Sequence, residues 1–278
     1  MKFRSRDDLR AKCIDIFSRQ DEVYQISVFG NEAEGSVDEY SDIDIVVCSN
    51  DRQETQRKYQ HLFESISPII GKGFIGADSR CFAEMVMLKY YSPYQKVDFS
   101  IVGALDDKTG FGPFATVYEN QAKRHDQNNE MALLASVPGV VQKLNDVLFS
   151  IPRFTKCLFR NDGINMYRRW VSITNSTTVL LLEKYTGWQI TTTKKKLTPP
   201  EVHALMRNIS DQERQVLDIM YPRRAVMNAA TSYQASVHQY IELSKQKAQH
   251  LQVSLDNGFI EYMEQFMDNE IQEWKKIE

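Results

Sequence analysis

The chain has 278 residues, 42% of them apolar and 11% aromatic, which is enough to bury the core of one large domain or two ordinary ones and excludes a disordered chain. A formal charge of −3 argues against a protein whose main work is gripping long nucleic acids, because that calls for a basic surface or tail. No stretch approaches membrane-spanning length, residues 1–10 are charged with no apolar run behind them, and Cys13, Cys48, Cys81 and Cys157 lack CxxC spacing. The expectation is a cytoplasmic protein with no membrane partner, with reduced thiols, and with neither structural zinc nor a disulfide frame.

Ser5-Arg6-Asp7-Asp8 reads as the capped start of a first helix. Residues 24–29 then alternate as a strand ending at Gly30, where a backbone can turn sharply and approach a ligand closely. Gly30 and Gly35 bracket a tight connection, and successive N–H groups in such a turn suit a polyphosphate tail. The next strand, from Ser41, puts Asp42 and Asp44 on one face while Ile43 and Ile45 point into a core. Two carboxylates side by side repel unless a cation neutralises them. Hard oxygen ligands select magnesium or manganese, usually completed by substrate phosphates, so a nucleoside triphosphate fits. A lone Asp-x-Asp would read more simply as the wet face of an edge strand, but this one follows a strand and a glycine turn.

A helix over residues 51–65 comes next, and then two β-type runs, 83–91 and 96–102, around the hairpin signal Ser92-Pro93-Tyr94-Gln95. Asp98 falls inside the second run. A charge among Val97, Phe99 and Ile101 calls for a partner or a metal, unless that face of the strand is wet. From about Asp126 the pattern becomes helical. Residues 154–185 carry Leu158, Met166, Trp170, Ile173, Val179 and Leu182 at helical intervals, with Gly163 as a potential break. Thr198-Pro199-Pro200-Glu201 and Ser210-Asp211-Gln212-Glu213 are capping-box starts, and longer helices are expected over 224–251 and 257–274. The fold class expected is α+β: a small mixed β-sheet domain with flanking helices, residues 1–125, followed by an all-α helical bundle, residues 126–278.

The remaining charged features read as solvated surface. Lys194-Lys195-Lys196 sits in a Thr- and Pro-rich loop, and Arg168-Arg169 and Arg223-Arg224 are exposed helix residues unless a cleft lets one pair reach a nucleotide tail. His61, His125, His203, His238 and His250 form no metal constellation. A serine-hydrolase elbow and a P-loop are both absent, which removes those chemistries.

Gly30-Asn31, Gly35 and Ser41-Asp42-Ile43-Asp44 match, in order, a signature of hydrophobic-Gly-Ser, a short helical turn, Gly, and [DE]-hydrophobic-[DE]. Over residues 24–102 the chain therefore resembles the nucleotidyltransferase superfamily related to DNA polymerase β. Asn31 stands where that family usually has Ser, although an amide also donates to phosphate, and Glu34 occupies a position often basic in relatives. The resemblance implies that Asp98 completes the site with Asp42 and Asp44, as a metal ligand or as the base. It likewise implies that Gly30, Asn31, Gly35 and Ser41 bind the nucleotide, and that two Mg2+ ions, or Mn2+, are the cofactor. The reaction implied is transfer of a nucleoside monophosphate, with ATP the favoured donor, to a hydroxyl, releasing pyrophosphate.

A small sheet domain followed by a helical half has the layout of the lincosamide and aminoglycoside nucleotidyltransferases. That likeness implies a small-molecule antibiotic acceptor, held by a helical half that binds acceptor or supports a homodimer. Asp162, Asn165, Tyr167 and Arg168 are the candidates to meet it. Two other readings stand beside this one. A nucleotidyltransferase antitoxin modifying a protein is disfavoured by the long helical half. A noncatalytic nucleotide-binding module is kept alive by Asn31.

Overall fold

The structure, a computed structural model, describes residues 3–77, 81–105, 113–125, 139–185, 187–188, 207–221 and 228–277. The chain divides into two compact units, Met1–Ser136 and Val137–Glu278.

In the first unit the chain runs through α1 (Arg6–Ser18), β1 (Val23–Phe29), β2 (Ile43–Ser49), α2 (Arg52–Ile66), β3 (Ile69–Ala77), β4 (Cys81–Leu88), β5 (Val97–Val102) and β6 (Phe114–Glu119). Both helix starts follow from capping. Ser5 Oγ accepts from the Asp8 N–H at 3.1 Å, and Asp51 Oδ1 accepts from the Glu54 N–H at 3.0 Å. The sheet is mixed, in the order β3-β4-β5-β2-β1-β6. Its central pair, β2 and β5, is parallel, and the other pairs are antiparallel.

The two-residue period of the strands sorts the faces. Ile43, Ile45 and Val47 of β2, with Val97, Phe99 and Ile101 of β5, join Leu9 and Phe17 of α1 and Tyr59 and Phe63 of α2 in one buried core. The Phe17 and Phe99 rings stack at 4.8 Å. Asp44 and Asp98 alternate with these residues and so lie on the opposite face, which Tyr24, Val46, Cys48 and Val102 also line. Strands β3 and β6 enlarge the sheet beyond what the sequence suggested. In β3, Gly71, Gly73 and Gly76 interrupt any apolar alternation, and β6 is a short, largely exposed edge.

The second unit holds α3 (Gly139–Phe159), α4 (Gly163–Tyr185), α5 (Asp211–Met220), α6 (Ala229–His250) and α7 (Asn257–Ile277). The expected long helix over 154–185 is two helices, and the break precedes Gly163. Asn161 takes the left-handed conformation (φ 53°), with the N–H groups of Asn161 and Asp162 bonded to the carbonyls of Leu158 (3.1 Å) and Cys157 (2.9 Å). Asp162 then caps α4 through its Oδ1, which accepts from the Asn165 N–H at 3.1 Å. The capping box at Ser210 and Glu213 forms as expected.

Small hydroxyl residues bring α4 against α6, with Thr174 and Ser236 side chains 3.0 Å apart and the Thr177 hydroxyl donating to the Ser236 carbonyl at 3.0 Å. The buried Glu183 on α4 pairs with Lys247 on α6 at 2.5 Å. No described helix is long and apolar enough to cross a membrane. The capping box at Thr198, Lys194-Lys195-Lys196, His203 and Arg223-Arg224 lie outside the described residues.

Candidate active site

Asp44 and Asp98 are direct register partners on the parallel pair β2 and β5, and Asp42 stands two residues before Asp44, which gives it the same face. One ligand oxygen from each of the three lies within 4.8 Å of the others, and all three residues are half-buried. Carboxylates this close repel, and water screens them poorly where they are half-buried. The chain supplies a cation of its own at this point. Lys96 Nζ lies 2.9 Å from Asp42 Oδ2 and also bonds Asp98 Oδ1, although its side chain is only 2% exposed. Three carboxylates converge on one point, where Lys96 and, at longer range, the Arg6 guanidinium oppose their charge. That convergence of hard oxygen donors fits a divalent cation of the magnesium or manganese type.

Gly30 sits directly against this cluster. Its φ is +62°, which favours glycine, and a Cβ placed there would meet Asp44 Oδ2 at 2.8 Å and push that carboxylate aside. A 3-10 turn, Gly30–Glu32, opens at that point, and its leading N–H groups lack acceptors within the turn. Gly35 (φ +69°) closes the connection, and the Ser36 N–H donates to the Asn31 carbonyl at 2.9 Å.

The turn is tied to β2 by α1. The Arg6 guanidinium donates to Glu32, to the Asp42 carbonyl at 3.0 Å and to the Ser41 carbonyl at 3.3 Å, and Arg10 also pairs with Glu32. Burial lowers the Arg6 pKa, an effect that Asp7 and Asp42 oppose. The Ser41 side chain faces its own turn. Fully buried, its hydroxyl donates to Asp38 Oδ1 at 2.8 Å and accepts from the Asp38 N–H at 3.0 Å, which fastens the approach to β2.

The structure thus assembles Asp42, Asp44, Asp98, Gly30 and the turn of Asn31 and Gly35, with Ser41 supporting them from below the strand start. Sequence reasoning missed Lys96, Arg6 and Glu32. Lys96 had a readable signal, because it stands two residues before Asp98 and so shares its face. Arg6 had none, since only the fold brings α1 to the start of β2.

Of the helical residues singled out from the sequence, Asn165 and Arg168 line a cleft inside the second unit. Asp162 is the cap of α4, and Tyr167 packs edge-on against Trp170 at 5.5 Å.

Residues 10–72 match the family model of the nucleotidyltransferase domain. The chain carries a nucleotidyltransferase domain. The matched segment contains Gly30, Asn31, Gly35, Ser41, Asp42 and Asp44 of this domain, and the strand register adds Asp98 and Lys96 from beyond it. The domain identifies an enzyme of the nucleotidyltransferase type. Among solved structures, the crystal structure of an aminoglycoside 6-adenyltransferase from Bacillus subtilis aligns over 95% of this chain and 99% of its own, at 13% identity and a TM-score of 0.33. A likeness that slight carries no argument about this domain or its acceptor. No curated protein matches the chain at a significant level.

Proposed function

We propose that the chain moves a nucleoside monophosphate, from ATP, onto a hydroxyl of a small molecule and releases pyrophosphate, with aminoglycosides and lincosamides the first acceptors to try. The observation that carries this reading is the register pairing of Asp44 with Asp98, with Asp42 beside them and the Gly30 turn directly opposite. Asp42, Asp44 and Asp98 would hold Mg2+, which would supply charge neutralisation for the triphosphate. The remaining work belongs to the chain's own groups. Backbone N–H groups of the turn from Gly30 to Gly35 and the Asn31 amide hold the phosphate tail. Lys96 orients Asp42 and Asp98, and Arg6 keeps the turn in register with β2. The acceptor hydroxyl oxygen bonds to the α-phosphorus, its proton passes to Asp98, and the bond from the α-phosphorus to the bridging oxygen breaks as pyrophosphate leaves. Most of the acceleration is positioning and charge neutralisation. In this reading residues 1–125 are catalytic, residues 126–278 bind the acceptor, and the protein works in the cytoplasm.

The test is pyrophosphate release from each nucleoside triphosphate with Mg2+ across a panel of aminoglycosides and lincosamides, with the double variant Asp42→Asn, Asp44→Asn as control. Acceptor-dependent release that disappears in the control is the expected result. Undiminished release from the control would sink the assignment of the site.

A further inference from the structure

The helical unit contains a cleft of about 690 Å3 between α3 and α4, with Tyr240 of α6 among its lining residues, a volume in the range of small-molecule sites. Five charged residues line it: Lys143, Arg168 and Arg169 are cationic, and Asp146 and Glu183 are anionic. One of the anions is answered from outside the cleft. Glu183 is paired with Lys247, which is not a lining residue, whereas burial raises the Asp146 pKa, an effect that the charge of Arg153 only opposes. The cations are answered less fully: Arg168 donates to Asn165 Oδ1 at 3.4 Å, and the charge of Arg169 is felt by Asp162. None of Lys143, Arg168 or Arg169 forms an ion pair with a carboxylate among the described residues, and the buried Nε of Arg169 has no hydrogen-bond acceptor there. A guanidinium donor left without an acceptor in a buried position is costly, and Arg169 is itself only half-buried, so the rest of its guanidinium can meet an incoming oxyanion in the cleft. Asn165, Ser172 and Ser176 repeat along the same face of α4 and supply uncharged polar groups beside the arginines.

We propose that this cleft binds an anionic small molecule, one carrying phosphate or carboxylate groups that Arg168, Arg169 and Lys143 recognise. The inference goes beyond the nucleotide-transfer reading. It rests on the second unit alone, and it makes a polycation such as an aminoglycoside a poor occupant of this particular cleft. The anion recognised is either a separate ligand or the phosphate tail of a nucleotide, and the chemistry of recognition is the same.

The experiment is calorimetric titration of the full-length chain with inorganic phosphate, glucose 6-phosphate and citrate, with glucose and kanamycin as neutral and cationic controls. The expected result is that at least one anion binds, and that its Kd rises about 10-fold or more in the double variant Lys143→Gln, Arg168→Gln. That Kd also rises with added salt, and it is unchanged in Asp42→Asn, Asp44→Asn. Lys143 and Arg168 are exposed, so their replacement leaves the fold intact, as circular dichroism would check. If ATP displaces the anion and itself binds about 10-fold more weakly to the cleft variant, the tail of a nucleotide is the source. If ATP does neither, the ligand is separate. Anion binding that ignores the cleft variant, that is lost in the Asp42, Asp44 variant, or that is matched by glucose overturns the proposal, as does binding of none of the three anions. Because the readout is binding, failure here leaves pyrophosphate release untouched, and failure of pyrophosphate release leaves this result untouched.

Discussion

Replacing Gly30 and Gly35 separately by alanine distinguishes a glycine needed for its backbone from one needed also for its missing side chain. Both adopt left-handed backbone, φ +62° and +69°, so each alanine variant loses roughly 1–2 kcal/mol of stability from conformation alone. Around Gly35 nothing lies within 4 Å of a new Cβ, and the effect ends there. At Gly30 the new Cβ would sit 2.8 Å from Asp44 Oδ2, against 3.4 Å for ordinary contact, so the carboxylate must withdraw by about 0.6 Å (3.4 − 2.8). Metal ligands tolerate displacements of about 0.2 Å, and disturbing the groups that support them costs about 10- to 100-fold in metal affinity. Urea denaturation should therefore show similar losses for the two variants, while Mn2+ titration followed by electron paramagnetic resonance shows 10- to 100-fold weaker binding for Gly30→Ala only. Equal Mn2+ affinity in the two variants would refute the claim that Gly30 is held against a metal-ligating Asp44.

Three further outcomes follow from the charge placement. Lys96→Met leaves Asp42 and Asp98 without their ammonium, so thermal denaturation without metal should show a loss of about 3 kcal/mol, and Mn2+ should raise the Tm of the variant more than that of the parent. An equal rise in both would show that Lys96 does not neutralise the site. Lys247→Met removes the ion pair of the buried Glu183 carboxylate and should destabilise the helical unit by about 3 kcal/mol, measured by urea denaturation, whereas a change under about 1 kcal/mol would show that the pair does not hold α4 against α6. Glu213 is desolvated, which raises its pKa, but hydrogen bonds from Ser210, Tyr185 and Lys184 prevail and hold it at about 2, against 4.5 in the unfolded chain. Between these values the unfolded chain binds the extra proton, so stability from this group is present above pH 4.5 and drains away as pH falls toward 2. Glu213→Gln should flatten that part of the stability profile, and an unaltered profile would contradict the assignment.

The carboxylate cluster was largely legible because strand alternation is local. Asp42, Ile43, Asp44 and Ile45 dictate which side chains share a face without knowledge of the fold. That Asp98 lies opposite Asp44 needed the parallel pairing of β2 with β5, which only the structure supplies, although its place in an apolar run marked it as a charge in need of a partner. Helix starts at Ser5, Asp51 and Ser210 were readable from capping chemistry. Strand β3 was not, because its glycines erase the period on which a strand is recognised, and the break before α4 was placed at Gly163 when Asn161 takes the left-handed turn. That Lys96 shares a face with Asp98 was readable from strand alternation, but its pairing with Asp42 on the neighbouring strand is a tertiary fact.

The most direct test of nucleotidyl transfer is to follow ATP labelled separately at the α- and γ-phosphates, with Mg2+ and the acceptor that supports pyrophosphate release, in the parent chain and in Asp98→Asn. The account predicts that the α-label moves to the acceptor while the γ-label leaves in pyrophosphate, and that Asp98→Asn slows the transfer by about 100-fold or more, the scale of a lost general base. Transfer of the γ-label to the acceptor, or transfer of the α-label at full rate without Asp98, would contradict it.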